Sequence, residues 1–239
     1  MKYLIILFAS LVVFVTGFFL IRPQLHSPKG KIAVAMTGRS TMELWFKHWN
    51  WPYPLRIKTT YRKWPIKYDK FSHGDMYFEY HELPGPISKD RKKPFGQDML
   101  NAFKHILTLN NYDISFFKFC FVDFRVSEKN NKKRFVQLIN TVQSAAKIAK
   151  ENRVKLIVGN ALPMPNSNET TIELQLEFNE WLKVWAKEKK NVVVFDLFGP
   201  LVENDGRLKK NLSRGDGDPH LGDKAFSILD GNLFQIISK

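Results

Sequence analysis

Residues 31–42 read KIAVAMTGRSTM, and this stretch decides the fold because an apolar run ends there in Gly38-Arg39-Ser40 just before a helical pattern begins. Residues 32–36 are typical of a short buried strand. Gly38 supplies the backbone freedom that a sharp reversal needs. Ser40 then lies at the first turn of the helix, where free amides and the positive end of the helix dipole would stabilise negative charge on a nearby oxygen. The stretch predicts a strand, a tight turn and a helix, with a candidate nucleophile at the turn.

The same serine also has a purely structural interpretation. Serine is among the commonest residues at a helix N-cap, and Glu43, three positions after Ser40, completes a capping box without any chemistry. The turn alone favours this capping interpretation. The choice between a cap and a nucleophile therefore depends on the other end of the chain.

The start of the chain predicts a membrane anchor and a linker. Residues 3–21, YLIILFASLVVFVTGFFLI, contain no charge and are long enough to span a bilayer as a helix. A cleavable signal peptide would have a shorter apolar core followed by a small-x-small site, and neither is evident before Arg22, so an anchor is favoured over a cleaved, secreted form. We expect residues 1–21 to be the anchor or signal segment, residues 22–30 to be a linker, and residues 31–239 to be an α/β domain.

The composition limits the classes of partner. The 44% of hydrophobic residues excludes a disordered chain, while the net charge of +14 favours anionic lipid headgroups or acidic polysaccharide as partners. The basic residues are scattered and form no nucleic-acid-binding module, so we expect no nucleic-acid partner. The single Cys120 lies in an apolar run and has no second cysteine with which to form an internal disulfide.

After the first helix, strand patterns alternate with amphipathic helices, which predicts a parallel sheet with helices on both faces. Active sites in such sheets form at the carboxyl ends of the strands. Strands are predicted at 55–59, 113–124, 154–158 and 192–197, and a hairpin or ordered loop at 64–71 and 76–83. Helices are predicted at 97–107, 132–150, 171–187 and 224–237.

The segment RGDGDPHL, residues 214–221, supplies the second half of a candidate site. It follows the last predicted strand, so His220 is expected at the same sheet edge as Ser40. There the imidazole would act as general base to the hydroxyl, while Asp216 or Asp218 would fix its tautomer.

With these residues the sequence resembles the SGNH, or GDSL-type, hydrolase superfamily. In that family the nucleophile lies in a Gly-Asp-Ser turn after the first strand, so Ser40 matches and Arg39 replaces the aspartate. The family places Asp-x-x-His before its last helix, so His220 matches while Gly217 occupies the usual aspartate position. Asp218 or Asp216 would then substitute for that aspartate.

The family's oxyanion donors are less well matched. Gly74 is the candidate for the glycine of the second block, with Gly85 as a rival. The third block, at residues 120–123, contains no asparagine, and Asn160, one strand later, is the candidate substitute. The residues expected to bind the oxyanion or the substrate are Gly38, Arg39, Gly74, Asn160 and Asp123.

The resemblance implies a three-layer flavodoxin-like fold that hydrolyses esters, often acetyl groups on carbohydrates, without a cofactor or metal. Ser40 would attack the acyl carbon, His220 would carry the proton, and Asp218 would steady the imidazole. Taken literally, the basic residues that flank residues 3–21 favour a cytoplasmic domain. Many relatives act outside the cytoplasm, so the resemblance favours a periplasmic or cell-surface domain instead.

These patterns lead to one favoured function and two alternatives. The favoured function is a membrane-anchored serine esterase, or an acyltransferase relative, that acts on acylated carbohydrate or another cell-surface ester. The first alternative is a non-catalytic protein of the same fold that binds polysaccharide or a partner protein and keeps Ser40 as a helix cap. The second is a basic adaptor at an anionic membrane surface.

Overall fold

The computed structural model of the chain describes residues 29–49, 57–61, 64–88 and 92–239, and the side chains of residues 57–69 are outside this description. The predicted anchor and most of the predicted linker therefore lie outside the described residues. In the ranges given, no helix combines the length and apolar character that crossing a bilayer requires.

The first half of the described chain carries most of the sheet. Strand β1 (Ile32–Gly38) leads into helix α1 (Ser40–Trp49). It is followed by the strands β2 (Ile57–Tyr61), β3 (Trp64–His73) and β4 (Met76–Glu82), then by helix α2 (Gln97–Leu107) and strand β5 (Ile114–Phe117).

The second half alternates helix and strand as the periodicity predicts. In chain order it consists of α3 (Asn131–Glu151), β6 (Lys155–Gly159), α4 (Glu169–Lys187), β7 (Val192–Phe195) and α5 (Asp223–Ile237). A short 3-10 turn, Phe121–Phe124, follows β5, and another, Glu128–Asn130, precedes α3. The helices predicted from spacings of three and four agree with these bounds to within one or two residues at most ends.

Seven strands of the described chain form one sheet in the order β2-β3-β4-β1-β5-β6-β7. The five strands from β4 to β7 are parallel, whereas β3 runs antiparallel to β4 and β2 runs antiparallel to β3. The prediction of an entirely parallel sheet was therefore wrong at one edge. The predicted hairpin explains the difference, because the two-residue turn Gly74-Asp75 joins β3 directly to β4 and allows only antiparallel pairing.

Helices cover both faces of the sheet, as the alternation of elements predicts. Ala33 and Ala35 of β1 pack into the core under α2, α3 and α4, while Val34 and Met36 pack into the core under α1 and α5. Successive strand residues point to opposite faces, so a strand covered on both sides is apolar throughout. The result is the predicted three-layer α/β arrangement, with β1 between β4 and β5.

The strand predicted at 113–124 is shorter than its apolar run. Strand β5 ends at Phe117, and the chain then turns at the carboxyl edge of the sheet into the 3-10 turn that contains Asp123. Phe119 and Phe124 are buried in the same core as α3 and α4 although neither lies in a strand. Burial rather than strand structure therefore explains why the run stays apolar beyond residue 117.

Candidate active site

The structure brings Ser40 and His220 together, although 180 positions separate them in the sequence. Ser40 is the first residue of α1, directly after the carboxyl end of β1, and His220 lies in the loop before α5. The Ser40 hydroxyl oxygen is 3.2 Å from His220 Nε2. This distance is within the reach that a nucleophile and its general base require.

The Ser40 hydroxyl does not cap its own helix among the described residues. The Arg39 carbonyl accepts the amides of Met42 and Glu43, at 2.8 and 3.2 Å, so Arg39 is the residue that precedes the first helical turn. The hydrogen bond recorded for the Ser40 hydroxyl is the one to His220. The capping-box interpretation of Ser40 therefore does not fit this geometry, because the hydroxyl points to the imidazole.

Asp218 orients the imidazole from the other side. One Asp218 carboxylate oxygen lies 2.7 Å from His220 Nδ1 and accepts the His220 backbone amide at 2.9 Å. A carboxylate can only accept, so Nδ1 carries the proton and Nε2 is left to accept from Ser40. The hydrogen bonds from the backbone amide and then the ring of His220 lower the pKa of Asp218. Ser40, His220 and Asp218 thus form a continuous hydroxyl–imidazole–carboxylate chain.

The loop that carries this pair is closed on itself. The Arg214 amide donates to the His220 carbonyl at 2.9 Å, and the Ser213 hydroxyl donates to the Asp218 carbonyl at 2.5 Å. Phe121 supports the imidazole edge-on, with ring centroids 5.3 Å apart. These contacts fix the backbone of the loop and the plane of the ring.

Of the two aspartates that the sequence left open, only Asp218 contacts His220. Asp216 is exposed and makes no hydrogen bond to the imidazole within the described chain. Gly217 lies at the position where the family has its aspartate. Its φ of 70° is a backbone conformation that residues other than glycine rarely adopt. Asp218 therefore reaches the ring from one residue further along the loop.

The structure contradicts the choice of Gly74 as an oxyanion donor. Gly74 lies in the β3–β4 turn, next to Met76, which pairs with Ile32 at the amino end of β1. It is therefore at the opposite edge of the sheet from Ser40. Its rival Gly85 follows the carboxyl end of β4, and a Cβ on it would lie 3.0 Å from Arg39 Nη1.

Asn160 is also unsuited to the role that the sequence suggested for it. It is 8% exposed, at the end of β6. Its side-chain amide donates to Asp196 at 2.7 Å, and its side-chain oxygen accepts the Leu197 amide at 2.7 Å. Both ends of the side chain are thus bound to the segment after β7, and Asn160 ties the last two strands together.

Arg39 and Asp123 form an ion pair beside Ser40. Arg39 Nη2 donates to an Asp123 carboxylate oxygen at 2.5 Å, and the other oxygen accepts the Cys120 amide at 2.8 Å. Asp123 is only 3% exposed, and this burial raises its pKa, against the opposing effects of the Arg39 charge and the Cys120 amide. Gly38 is buried at the turn itself, where a Cβ would lie 3.1 Å from that of Met42. Both candidate substrate-side residues, Arg39 and Asp123, therefore lie at the edge that bears Ser40.

Lys118 is a residue of this region that the sequence interpretation missed. It is 1% exposed, and its ammonium group donates to the Phe119 carbonyl at 3.1 Å. Its side chain passes under the turn, because a Cβ on Gly38 would lie 3.7 Å from Lys118 Cε. Burial lowers the pKa of the Lys118 amine. The sequence feature that could have identified Lys118 is its position as a single charged residue within the apolar run at residues 114–122.

No set of three or more histidine, cysteine, aspartate or glutamate side chains in the described ranges is arranged to hold a metal ion. Cys120 is buried and not in a disulfide.

No family model and no curated protein matches the sequence. Solved structures do match. A GDSL-like lipase from Bacteroides thetaiotaomicron VPI-5482 is 16% identical with a TM-score of 0.59, over 89% of this chain and 90% of that one. A member of the lipolytic protein G-D-S-L family from Veillonella parvula DSM 2008 is 13% identical with a TM-score of 0.52, over 87% and 98%.

A carbohydrate esterase family 3 protein from Talaromyces cellulolyticus is 15% identical with a TM-score of 0.50, over 87% of this chain and 98% of that one. Identities this low speak for the fold alone. The chain has the fold of the GDSL-type hydrolases, which confirms the resemblance drawn from the Gly38-Arg39-Ser40 turn and His220.

Proposed function

We propose that the protein is a serine ester hydrolase, or an acyltransferase relative, that acts on acylated carbohydrate or another cell-surface ester. The observation that carries the proposal is the chain of contacts from the Ser40 hydroxyl through His220 to Asp218, with distances of 3.2 and 2.7 Å. The fold shared with lipases and a carbohydrate esterase supports the same reaction class. The fold alone would not, since one fold carries many functions.

In the proposed mechanism, the Ser40 oxygen attacks the acyl carbon while its proton passes to His220 Nε2. The imidazolium then protonates the departing alcohol, which leaves an acyl group on Ser40. A water molecule, or an acceptor alcohol in a transferase, attacks that acyl group and gives its proton to His220. The bond between the acyl group and the Ser40 oxygen then breaks, the acid or the new ester leaves, and the imidazolium returns the proton to Ser40. Asp218 keeps Nδ1 protonated and stabilises the imidazolium in both steps.

The oxyanion would be held by the Ser40 amide at the start of α1 and by groups on the Arg39 side. Gly85, three residues after the end of β4, would supply a backbone amide, and the Arg39 guanidinium lies beside this glycine. Asp123 holds that guanidinium in place through Nη2. We therefore assign Arg39 the part that an asparagine plays in the family pattern, as a charged donor that faces the developing negative charge.

We further propose that residues 3–21 anchor the protein in a membrane and that the hydrolase domain faces the periplasm or the cell surface. The uncharged run in the sequence supports the anchor. Cell-surface glycan esters would then lie within reach of Ser40.

The alternative of a non-catalytic binding protein rests on two departures from the family pattern. The third block lacks the family's asparagine, and Arg39 replaces its aspartate. If these exchanges have removed catalysis, the folded protein would bind a polysaccharide or a partner protein without hydrolysing an ester.

The test is hydrolysis of p-nitrophenyl acetate by the full chain in a nonionic detergent. We expect Ser40→Ala and His220→Ala each to reduce kcat by roughly a thousandfold or more, because nucleophile and base act as a unit. Ser227→Ala, a change of another serine at the exposed face of α5, is the matched control and should leave kcat unchanged. Activity that survives both site substitutions would contradict the proposal, and a folded but inactive wild type would favour the non-catalytic alternative.

A further inference from the structure

A second concave site lies beside the candidate active site. It has a volume of about 480 Å³ and is lined by residues 87, 88, 93 and 95 and by part of the segment from Arg125 to Gln137. We call it the basic groove because its lining includes Lys93, Arg125, Lys133 and Arg134 and no carboxylate from the described residues. Its volume falls in the range of roughly 300–1,000 Å³ that is usual for small-molecule sites.

Two carboxylates close to the groove, Asp98 and Asp123, are already engaged by other groups. Asp98 accepts from Ser88 at 2.6 Å and from Lys93 at 2.9 Å, and these contacts lower its pKa. Asp123 is buried against Arg39. Lys93 is thus balanced by Asp98, which leaves three further cations along the groove.

Two of those cations are held by aromatic rings. The Arg134 guanidinium lies over Phe95, at 4.8 Å from the ring centroid, and that of Arg125 lies over Phe121, at 5.8 Å. Stacking of this kind keeps a guanidinium in place while its N–H groups can still donate. Arg134 already donates from Nε to Gln137 and from Nη1 to the Asp123 carbonyl. The groove therefore presents the Arg125 guanidinium and the remaining N–H groups of Arg134 as donors to carboxylate or phosphate oxygens.

The start of α3 adds an independent argument. Its first turn contains no acidic residue but carries Lys132, Lys133 and Arg134 in succession. Cations at this end oppose the helix dipole and lower stability, where Asp or Glu would raise it. Residues that lower stability, such as these cations at a helix N-terminus, are expected mainly at functional sites. A bound anion in the groove would interact favourably both with Arg125, Lys133 and Arg134 and with the positive end of the α3 dipole.

The groove and the candidate active site share a wall. Arg134 Nη1 donates to the Asp123 backbone carbonyl at 2.5 Å, and the Asp123 side chain accepts from Arg39, the neighbour of Ser40. Gly85, beside Arg39, is three residues from Ser88 in the groove. Asp123 therefore connects the groove to the residue next to Ser40.

We propose that the basic groove binds a carboxylate or phosphate group of an acidic glycan that carries the ester presented to Ser40. This inference rests on the proposed function, because it names the substrate class of the same site. A glycan fits better than a membrane surface, since the cations line a concave pocket with oriented guanidinium groups rather than a flat polybasic patch.

The first experiment measures binding without catalysis. The full chain in nonionic detergent is titrated calorimetrically with polygalacturonate, which carries carboxylates, with phosphomannan, which carries phosphates, and with neutral dextran. We expect binding of an acidic polymer and none of dextran. Arg125→Glu/Lys133→Glu should weaken that binding at least about tenfold, since two exposed charges are reversed. Lys183→Glu/Lys187→Glu, the same charge change on the exposed face of α4, should not.

The second experiment measures selectivity. We expect the ratio of kcat/KM for acetylated polygalacturonate to that for acetylated xylan to fall roughly tenfold in Arg125→Glu/Lys133→Glu and to stay constant in the α4 control. A wild type that binds the acidic polymer but hydrolyses neither the acetylated polymers nor p-nitrophenyl acetate would refute the proposed function and leave the binding of acidic polymer to the groove standing.

Two results would overturn the groove assignment. One is equal affinity of wild type and Arg125→Glu/Lys133→Glu for both acidic polymers. The other is that Arg125→Glu/Lys133→Glu loses the preference of the wild type for phosphatidylglycerol-containing micelles over neutral micelles but binds the glycans as the wild type does. That result would make the groove a lipid-headgroup site.

Discussion

His220 and Asp218 lie in a partly exposed loop on one side of Ser40, whereas Arg39 and Asp123 form a buried ion pair on the other side. The first side keeps the hydroxyl–imidazole–carboxylate order of the GDSL-type pattern with one shift, from Gly217 to Asp218. The second side replaces the family's neutral or acidic residues with a charged pair. Proton transfer requires a hydroxyl, an imidazole and a carboxylate in a fixed order. An oxyanion requires only hydrogen-bond donors near one point, so different residue types can stabilise it.

The largest expected effect concerns the loop side. Asp218→Ala should lower kcat for p-nitrophenyl acetate by about a thousandfold or more, because the imidazole loses the partner that fixes its tautomer. Asp216→Ala is the matched control and should have little effect, since Asp216 does not contact the ring in the structure. Equal losses in the two variants would contradict the assignment of Asp218.

A smaller effect is expected on the ion-pair side. Arg39→Met should lower kcat by about a hundredfold if the guanidinium holds the oxyanion. Asp123→Asn breaks the charge pair but retains Arg39 and an acceptor for the Cys120 amide, so we expect its kcat to fall much less. The free energy of unfolding of both variants is measured by urea denaturation.

Each of these two variants leaves a partly or fully buried charge without its partner, so each should lose about 3 kcal/mol of stability. Similar stability but different kcat would separate a role in catalysis from a role in the fold. If kcat falls equally in both, Arg39 acts only as the partner of Asp123.

The same contrast explains which parts of the molecule the sequence predicts. Helices such as α3 and α4 follow from apolar residues at spacings of three and four, a local signal that the core then satisfies. The Ser40 turn was identifiable as a short motif at a predicted strand end, and His220 as the histidine of a Gly-Asp-rich loop just before the last predicted helix. The choice of Asp218 over Asp216 could be made only from the structure, since the loop geometry decides which of the two aspartates reaches the His220 ring.

The wrong assignments share one cause, which is that pairing across the sheet is not local in sequence. Gly74 lies closer to Ser40 along the chain than Gly85, but the β3–β4 hairpin places it at the opposite edge. Asn160 has the right residue type, yet Asp196, 36 positions away, binds its side chain. No spacing rule reports either fact.

The smallest expected effect concerns Lys118, whose side chain lies under the turn at Gly38. Lys118→Met removes a buried amine and keeps a similar volume, so we expect the free energy of unfolding to rise by about 1 kcal/mol at pH 7. The exposed Lys183→Met is the control and should change it little.

The pH dependence gives this last prediction its sign. Burial lowers the pKa of Lys118 from its ordinary value of 10.5. Between the lowered value and 10.5 the unfolded chain binds more protons at this amine than the folded chain, so Lys118 contributes a rise in stability with pH across that interval. Lys118→Met lacks this contribution, and its advantage over wild type should shrink as the pH approaches 10.5. If the difference in free energy of unfolding between Lys118→Met and wild type stays constant from pH 7 to pH 10, the fold does not disfavour the charged amine. Lys118 would then be a third charged group next to Arg39 and Asp123.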